Sequence, residues 1–174
     1  RLEKFLNAHD RKLIGWDEII EGGLAPTATM MYWRGRRDQN KAVLQATAQG
    51  NDVIMTPNTH LYLDYYQAKD TKKEPLAIGS FLPLDSVYKY DPFAMMPQLT
   101  NDQKKHIIGV QANIWREYMP TTAQVQYMTF PRLDAASEVF WTMPEQKDYK
   151  SFLIRLQEQT KRYDYMGVNY RKLD

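Results

Sequence analysis

The chain has 174 residues, which is enough for one domain with a sizeable core. Its formal net charge is +2, which gives no indication of binding to nucleic acid or to an anionic membrane, and no apolar run is long enough to span a bilayer. The sequence has no cysteine, which excludes disulfides and thiolate metal sites. Its three histidines are scattered, so we expect neither a metal nor a cofactor.

The first third of the chain alternates predicted helices and strands. Apolar runs that are too short for helices and are bounded by glycine, proline or polar residues indicate buried strands. Asp38 is expected to cap the second helix, and Gly50 to stop it. In chain order the predictions are a helix over 1–8, a strand over 12–16, a loop over 18–26, a strand over 27–33, a helix over 38–49 and a strand over 52–56.

The rest of the chain adds one more predicted strand between helices and irregular segments. Four prolines predict an irregular excursion over 68–97 with one short helix over 84–88. Apolar residues at helical spacing from Tyr149 to Tyr163 predict an amphipathic last helix. The remaining predictions are a helical turn over 100–105, a strand over 107–115, a helical region over 121–141 that Pro131 begins or kinks, and a loose tail over 166–174.

Alternation of strands and helices implies parallel strands joined by right-handed crossovers. Four such units fit either half of an eight-stranded barrel or a small doubly wound sheet. A whole barrel needs roughly 250 residues, so this chain is too short for a complete one. The first helix has no start signal, as though it were cut from a longer helix, and this favours a half-barrel over residues 1–174 that is a fragment of a longer chain.

Aromatic side chains stand near the C-terminal ends of the predicted strands. Three are tryptophans, and a tyrosine follows the third strand: Trp16, Trp33, Trp115 and Tyr62. A single tryptophan after a strand belongs more often to the core, but the C-terminal ends of parallel strands open on a common site. Four aromatic rings there favour a carbohydrate pocket, since the C–H faces of sugars pack on aromatic rings.

Short motifs in a fixed order make this pattern more specific. They are Gly15-Trp-Asp-Glu18, Tyr32-Trp-Arg34, Tyr62-Leu-Asp64 and Trp115-Arg-Glu117, with Val87-Tyr-Lys-Tyr-Asp-Pro92, Phe130-Pro-Arg-Leu-Asp-Ala-Ala-Ser-Glu138 and Met166-Gly-Val-Asn-Tyr170. In order and approximate spacing the set resembles the β-N-acetylhexosaminidases of glycoside hydrolase family 20. The resemblance covers nearly the whole chain. It implies an α/β fold with parallel strands, the C-terminal half of that family's TIM (β/α)8 barrel, strands five to eight with their helices.

The resemblance also implies a reaction and the residues that serve it. In that family hydrolysis retains the configuration at the anomeric carbon, and the acetamido oxygen of the substrate is the nucleophile. Tyr62 would act as the catalytic residue that donates its hydroxyl to this oxygen, Asp64 would hold sugar hydroxyls near the C6 end, and Glu117 would accept from the C4 hydroxyl and its neighbour. Three tryptophans would wall the pocket for the N-acetyl methyl group and the sugar face: Trp16, Trp33 and Trp115.

One part of the family's machinery is missing from this sequence. The family's general acid is the Glu of an Asp-Glu pair that follows a His-x-Gly-Gly-like run, and no such run occurs here. Asp17 and Glu18 belong to a different motif and are expected to be structural, so the acid role is not transferred to Glu18. The expected partners are therefore a glycan that ends in an N-acetylhexosamine and the missing N-terminal half of the barrel, and the isolated chain is expected to be inactive.

Two other interpretations remain open. The first is a non-catalytic sugar-binding or assembly half-barrel, which would self-associate through the exposed edges of its first and fourth strands. The second is a small doubly wound domain, which is the weaker alternative because the sequence has no glycine-rich phosphate loop. Export from the cytoplasm is expected from the resemblance, because such enzymes meet glycans outside it.

Overall fold

The computed structural model describes residues 1–35 and 40–173. The chain divides into two compact units, which we name the sheet unit (Arg1–Thr59 with Pro92–Gln111) and the helical unit (His60–Asp91 with Ala112–Asp174). The predicted helix cap Asp38 lies outside the described residues.

Four short strands, eight α-helices and three short 3-10 helices make up the regular structure of the described residues. The strands are β1 (Ile14–Trp16), β2 (Thr29–Tyr32), β3 (Val53–Met55) and β4 (Ile107–Val110). The helices are α1 (Leu2–Asn7), α2 (Lys41–Ala48), α3 (Asn58–Leu61), α4 (Leu84–Tyr88), α5 (Asn101–Lys105), α6 (Thr122–Thr129), α7 (Arg132–Trp141) and α8 (Tyr149–Met166).

All four strands lie in the sheet unit and form one parallel sheet in the order β1-β2-β3-β4. Each new strand therefore adds to the same edge of the sheet, as in a barrel. A doubly wound sheet reverses its strand order at a switch point. The doubly wound interpretation is wrong, because no such reversal occurs between the four strands of the described residues.

The strands are shorter than the apolar runs that predicted them, and the largest error is at the fourth. We predicted a strand over 107–115, but β4 ends at Val110. Beyond it, only Asn113 pairs again, in an isolated bridge to Tyr62. The backbone N–H of Gln111 still donates to the carbonyl of Met55 on β3, at 2.9 Å, but residues 114–118 are exposed, so an aromatic side chain in this stretch is presented on a loop instead of a strand.

The core of the sheet unit combines strand and helix residues. Met30, Tyr32, Val53 and Met55 are fully buried on β2 and β3. Helix α2 buries Ala42, Val43, Ala46 and Thr47. The turn before the last strand is also as predicted, since α5 begins with a capping box between Thr100 and Gln103.

The helical unit is built around α4, α7 and α8. The region 121–141 is two helices that meet at Pro131, and α8 begins at the cap Asp148 and ends at Gly167 in the left-handed conformation. The buried core residues come from these helices and from the segments around 63 and 82: Leu63, Leu82, Val87, Tyr88, Ala135, Ala136, Phe152 and Leu156.

The C-terminal tail is not loose, contrary to the prediction. The backbone N–H of Asn169 donates to Gln126 at 3.0 Å, and that of Arg171 donates to the carbonyl of Phe130 at 3.1 Å. Tyr170 is buried against the ring of Tyr163. The apolar residues of the tail have neither helical nor strand spacing, so no sequence pattern indicated that other parts of the helical unit hold the tail in place.

Candidate active site

In the sheet unit, two of the predicted site tryptophans occupy the C-terminal ends of neighbouring strands. Trp16 is the last residue of β1, and Trp33 follows β2 directly. Trp16 pairs with Met31, two residues before Trp33, so the two rings leave the sheet at the same end. Both side chains are half-buried.

The carboxylates next to Trp16 hold this strand end together. Asp17 is completely buried and accepts from the backbone N–H groups of Trp33 and Arg34, at 3.2 and 3.3 Å. Its other oxygen accepts from Arg34 Nε at 2.7 Å. Glu18 accepts from the indole Nε1 of Trp33 at 3.0 Å and so orients that ring. These are the contacts of structural carboxylates, as the sequence predicted.

Burial raises the pKa of Asp17, and three hydrogen bonds and the charge of Arg34 lower it in opposition. The carboxylate oxygens are thus matched by donors on the protein itself. A group satisfied in this way has little to offer a ligand.

The helical unit contains the other four predicted site residues. Tyr62 is held by backbone pairing to Asn113, in which the N–H of Leu63 donates to the carbonyl of Asn113 and the N–H of Asn113 donates to that of Leu61, both at 2.8 Å. This pairing places the rings of Tyr62 and Trp115 side by side, with centroids 6.1 Å apart and planes inclined at 57°.

Asp64 is the unusual group of this cluster. Its side chain is buried, and its Oδ1 has no hydrogen-bond partner among the described residues. Burial raises the pKa of Asp64 to about 6; its own backbone N–H opposes the shift, Glu117 adds to it, and Arg132 opposes it. A buried acceptor without a donor is costly, which suggests that a ligand supplies one.

Asp64, Trp115 and Glu117 line one narrow cleft, which is too tight to admit a water molecule. Trp115 is 37% exposed and Glu117 is also exposed, so both can reach a ligand while Asp64 remains buried beside them. The lining residues are Asp64, Leu76, Ala77, Ile78, Trp115, Glu117, Tyr118, Met119 and Met128.

Arg132 is the residue of this cluster to which sequence reasoning assigned no role. It stands in the motif that begins at Phe130, but an arginine at the start of a helix is usually solvated, and nothing in its spacing indicates burial. In the structure its exposed fraction is 0%, and its charge lies close enough to Asp64 to oppose the rise in that group's pKa.

Within residues 1–35 and 40–173, no three His, Asp or Glu side chains are grouped closely enough to hold a metal ion. None of the helices in the described part of the chain combines the length and apolarity needed to cross a bilayer.

Comparison with known proteins identifies relatives for the whole chain. The catalytic domain of glycosyl hydrolase family 20 matches residues 1–144. A β-hexosaminidase of Porphyromonas gingivalis is 45% identical over 169 residues, which cover 97% of this chain and 21% of that protein. The β-N-acetylhexosaminidase of Streptomyces coelicolor A3(2) superposes with a TM-score of 0.87 at 25% identity, over 99% of this chain and 35% of that one.

A second solved structure includes a sugar. The exo β-N-acetylglucosaminidase of Vibrio harveyi, solved in complex with N-acetylglucosamine, superposes with a TM-score of 0.81 at 31% identity, over 98% of this chain and 26% of that one. This chain therefore spans about a fifth of the P. gingivalis relative and about a third of the S. coelicolor structure. The matches confirm the predicted fold class, an α/β fold with four parallel strands that corresponds to half of a TIM barrel.

Proposed function

This chain belongs to glycosyl hydrolase family 20, and on that premise we propose that it supplies half of the catalytic domain of a β-N-acetylhexosaminidase. The proposed reaction removes terminal N-acetylglucosamine or N-acetylgalactosamine from glycans with retention of configuration, and the acetamido oxygen of the substrate is the nucleophile. The observation that carries the proposal is Asp64, whose buried Oδ1 has no partner in the described chain and which shares a cleft with Trp115 and Glu117.

Tyr62 has the chemistry to guide the nucleophile. Its hydroxyl donates to the acetamido oxygen, which orients that oxygen toward the anomeric carbon and stabilises the charge that develops as the ring closes. Its ring packs beside Trp115, an apolar surface suited to the N-acetyl methyl group. Trp16 and Trp33 are proposed as further apolar surfaces for the substrate.

Asp64 and Glu117 have the chemistry to recognise sugar hydroxyls. An ionised carboxylate forms charge-assisted hydrogen bonds with hydroxyl donors, and these are stronger than neutral ones. A hydroxyl that donates to Asp64 Oδ1 would satisfy an acceptor that has no partner among the described residues. Recognition by Asp64 therefore depends on the ionised form of the carboxyl.

The proton for the leaving group comes from outside this chain. When the acetamido oxygen bonds to the anomeric carbon, the glycosidic oxygen departs with a proton from a general acid, which we assign to the remaining half of the catalytic domain. Water then opens the cyclic intermediate and restores the acetamido group. The support for this division is that the chain spans only 21% of its P. gingivalis relative.

The test uses the full-length protein that contains this chain, with 4-nitrophenyl N-acetyl-β-glucosaminide and the corresponding galactosaminide as substrates. Loss of one preorganised donor costs about 100-fold or more in kcat, so Tyr62→Phe should lower kcat by that factor. Tyr165→Phe is the matched control, because Tyr165 is 94% exposed on α8 and should leave kcat unchanged. Wild-type turnover by Tyr62→Phe would remove Tyr62 from the mechanism, and an inactive wild-type protein would overturn the proposal itself.

A non-catalytic assembly domain is the second candidate, and the sheet unit supplies the observation that favours it. Within the sheet, β1 and β4 are the edge strands, and each exposes an isoleucine, Ile14 and Ile108, at 54%. Such edges pair readily with other strands. Purified chain 1–174 that dimerises, binds N-acetylglucosamine and stays inactive when mixed with the rest of the protein would support this alternative. Recovery of turnover on mixing would support the enzyme.

A further inference from the structure

Arg132 is a buried arginine whose guanidinium binds backbone carbonyl groups. It is fully buried at the first position of α7, and its Nη atoms donate to backbone carbonyls instead of to a carboxylate. Nη2 donates to Leu63 and Met128, each at 2.6 Å, and Nη1 donates to Tyr65 and Leu82, each at 3.0 Å. One guanidinium thus joins three separate segments of the helical unit.

Two of these acceptors flank Asp64. Because the carbonyls of Leu63 and Tyr65 are both held, the backbone is fixed on each side of the carboxylate. Tyr62 is flanked in the same way by the two backbone hydrogen bonds to Asn113. The proposed hydroxyl donor and the proposed hydroxyl acceptor therefore lie on one short segment that is pinned from two sides.

The charge of Arg132 also acts on Asp64. Asp64 faces the positive charge of Arg132 and the negative charge of Glu117, and Arg132 faces Glu74, Arg171 and Tyr127 besides. Burial lowers the pKa of Arg132 to about 9, which leaves the guanidinium cationic at neutral pH. This positive charge opposes protonation of Asp64, in addition to the larger effect of the Asp64 backbone N–H.

We propose that Arg132 is the positioning residue of the sugar-recognition segment: it fixes the backbone around Asp64 through carbonyl groups and supplies a positive charge that favours the ionised form of Asp64. The identity of what the segment recognises rests on the proposed function above. Arginine suits this role because its planar fork carries five donors, whereas lysine offers a single ammonium point that cannot reach four carbonyls in this arrangement.

Two substitutions in the full-length protein separate geometry from charge. Arg132→Lys keeps the charge but loses part of the carbonyl network, so kcat should fall about 10-fold while the acid limb of kcat/KM stays in place. Arg132→Met loses both, so KM should also rise and the acid limb should move up by about one pH unit. Arg155→Lys and Arg155→Met are matched controls on the surface of α8, where Arg155 pairs with Glu138, and should change neither quantity.

The outcomes are decisive in either direction. Wild-type kinetics for Arg132→Lys, or an unmoved acid limb for a folded Arg132→Met, would overturn the proposal. If neither variant folds, the test is backbone amide hydrogen exchange in the wild-type protein, measured on peptides that cover residues 61–66. A segment that is fixed before substrate binds should exchange slowly in the absence of sugar. Fast exchange that slows only when N-acetylglucosamine is added would contradict the proposal. Since the exchange experiment needs no turnover, it still tests whether the segment around Asp64 is fixed in advance if the wild-type protein proves inactive and the proposed function fails.

Discussion

Asp17 in the sheet unit and Asp64 in the helical unit are both buried aspartates with an arginine nearby, yet the two arginines do opposite things. Arg34 donates directly to Asp17, and two backbone N–H groups complete its partners. Arg132 donates through its Nη atoms to carbonyls, and both its Nε and Asp64 Oδ1 are without a hydrogen-bond partner within the described residues. Both carboxylates are buried, so burial does not distinguish them. The hydrogen-bond donors of the protein do: a carboxylate whose oxygens both have them is structural, and one with an oxygen that lacks them is available to a ligand.

The same difference has an energetic side. Burial raises the pKa of both carboxyl groups, and for Asp64 the value reaches about 6. Asp17 recovers part of that cost through three hydrogen bonds and the charge of Arg34, whereas Asp64 is helped by its own backbone N–H and, to a smaller extent, by the charge of Arg132. Removal of Asp17 should therefore cost stability because three donors lose their acceptor, whereas the ionised form of Asp64 should itself lower stability.

The largest effect is expected when the satisfied carboxylate is removed. Asp17→Ala leaves the partly buried N–H of Trp33 and the Nε of Arg34 without their acceptor, which should cost about 3 kcal/mol of unfolding free energy. Thermal unfolding of the full-length protein measures the loss. Glu21→Ala is the control, because Glu21 is a 67% exposed partner of Arg34 and should cost less than about 1 kcal/mol. Equal losses of unfolding free energy for Asp17→Ala and Glu21→Ala would contradict the structural role of Asp17.

A smaller effect of opposite sign is expected for the unsatisfied carboxylate. Asp64→Asn removes a charge that is buried without a donor in the described chain, so it should stabilise the protein by about 1–3 kcal/mol at pH 7.5. The same change should raise KM several-fold, because an amide is a weaker acceptor than a carboxylate for sugar hydroxyls. Thermal unfolding and steady-state kinetics on one sample check both; a destabilised Asp64→Asn protein would make Asp64 a structural group like Asp17.

The pH dependence sharpens this prediction. Because the pKa of Asp64 is raised above its value of 3.8 to about 6, the folded state binds more protons than the unfolded state between these values. The stability of the wild type should therefore fall as pH rises from about 4 to about 6. The advantage of Asp64→Asn should be full above this window and absent below it, and melting curves from pH 4 to pH 8 would contradict the assignment if the advantage were constant.

The smallest effect concerns the ring that Glu18 orients. Glu18→Ala removes the acceptor of Trp33 Nε1 at an exposed position, which should cost about 0.5–1 kcal/mol of stability and leave kcat nearly unchanged. A modest rise in KM is expected if Trp33 contacts substrate. A loss of kcat comparable to that of Tyr62→Phe would give Glu18 a catalytic role, contrary to the prediction from its motif.

Much of the fold follows from local sequence signals. The apolar run at Ile107–Val110 forms a strand, and the spacing of apolar residues together with Asp148 and Gly167 marks both ends of α8. Pro131 separates two helices as its missing N–H requires. Periodicity, caps and proline each act within a few residues, so they can be read without knowing the tertiary structure.

The motifs named Asp64 and Trp115 as candidates, but only the tertiary structure decided their surroundings and the role of Arg132. The carbonyl acceptors of Arg132 at Tyr65, Leu82 and Leu63 are 67, 50 and 69 positions away in the chain. Burial of a guanidinium is stable only when several such acceptors converge on it, and no local pattern encodes that convergence. The sequence by itself thus determined the elements and the candidate residues, and the packing of distant segments determined which carboxylate was left without a donor in the described chain.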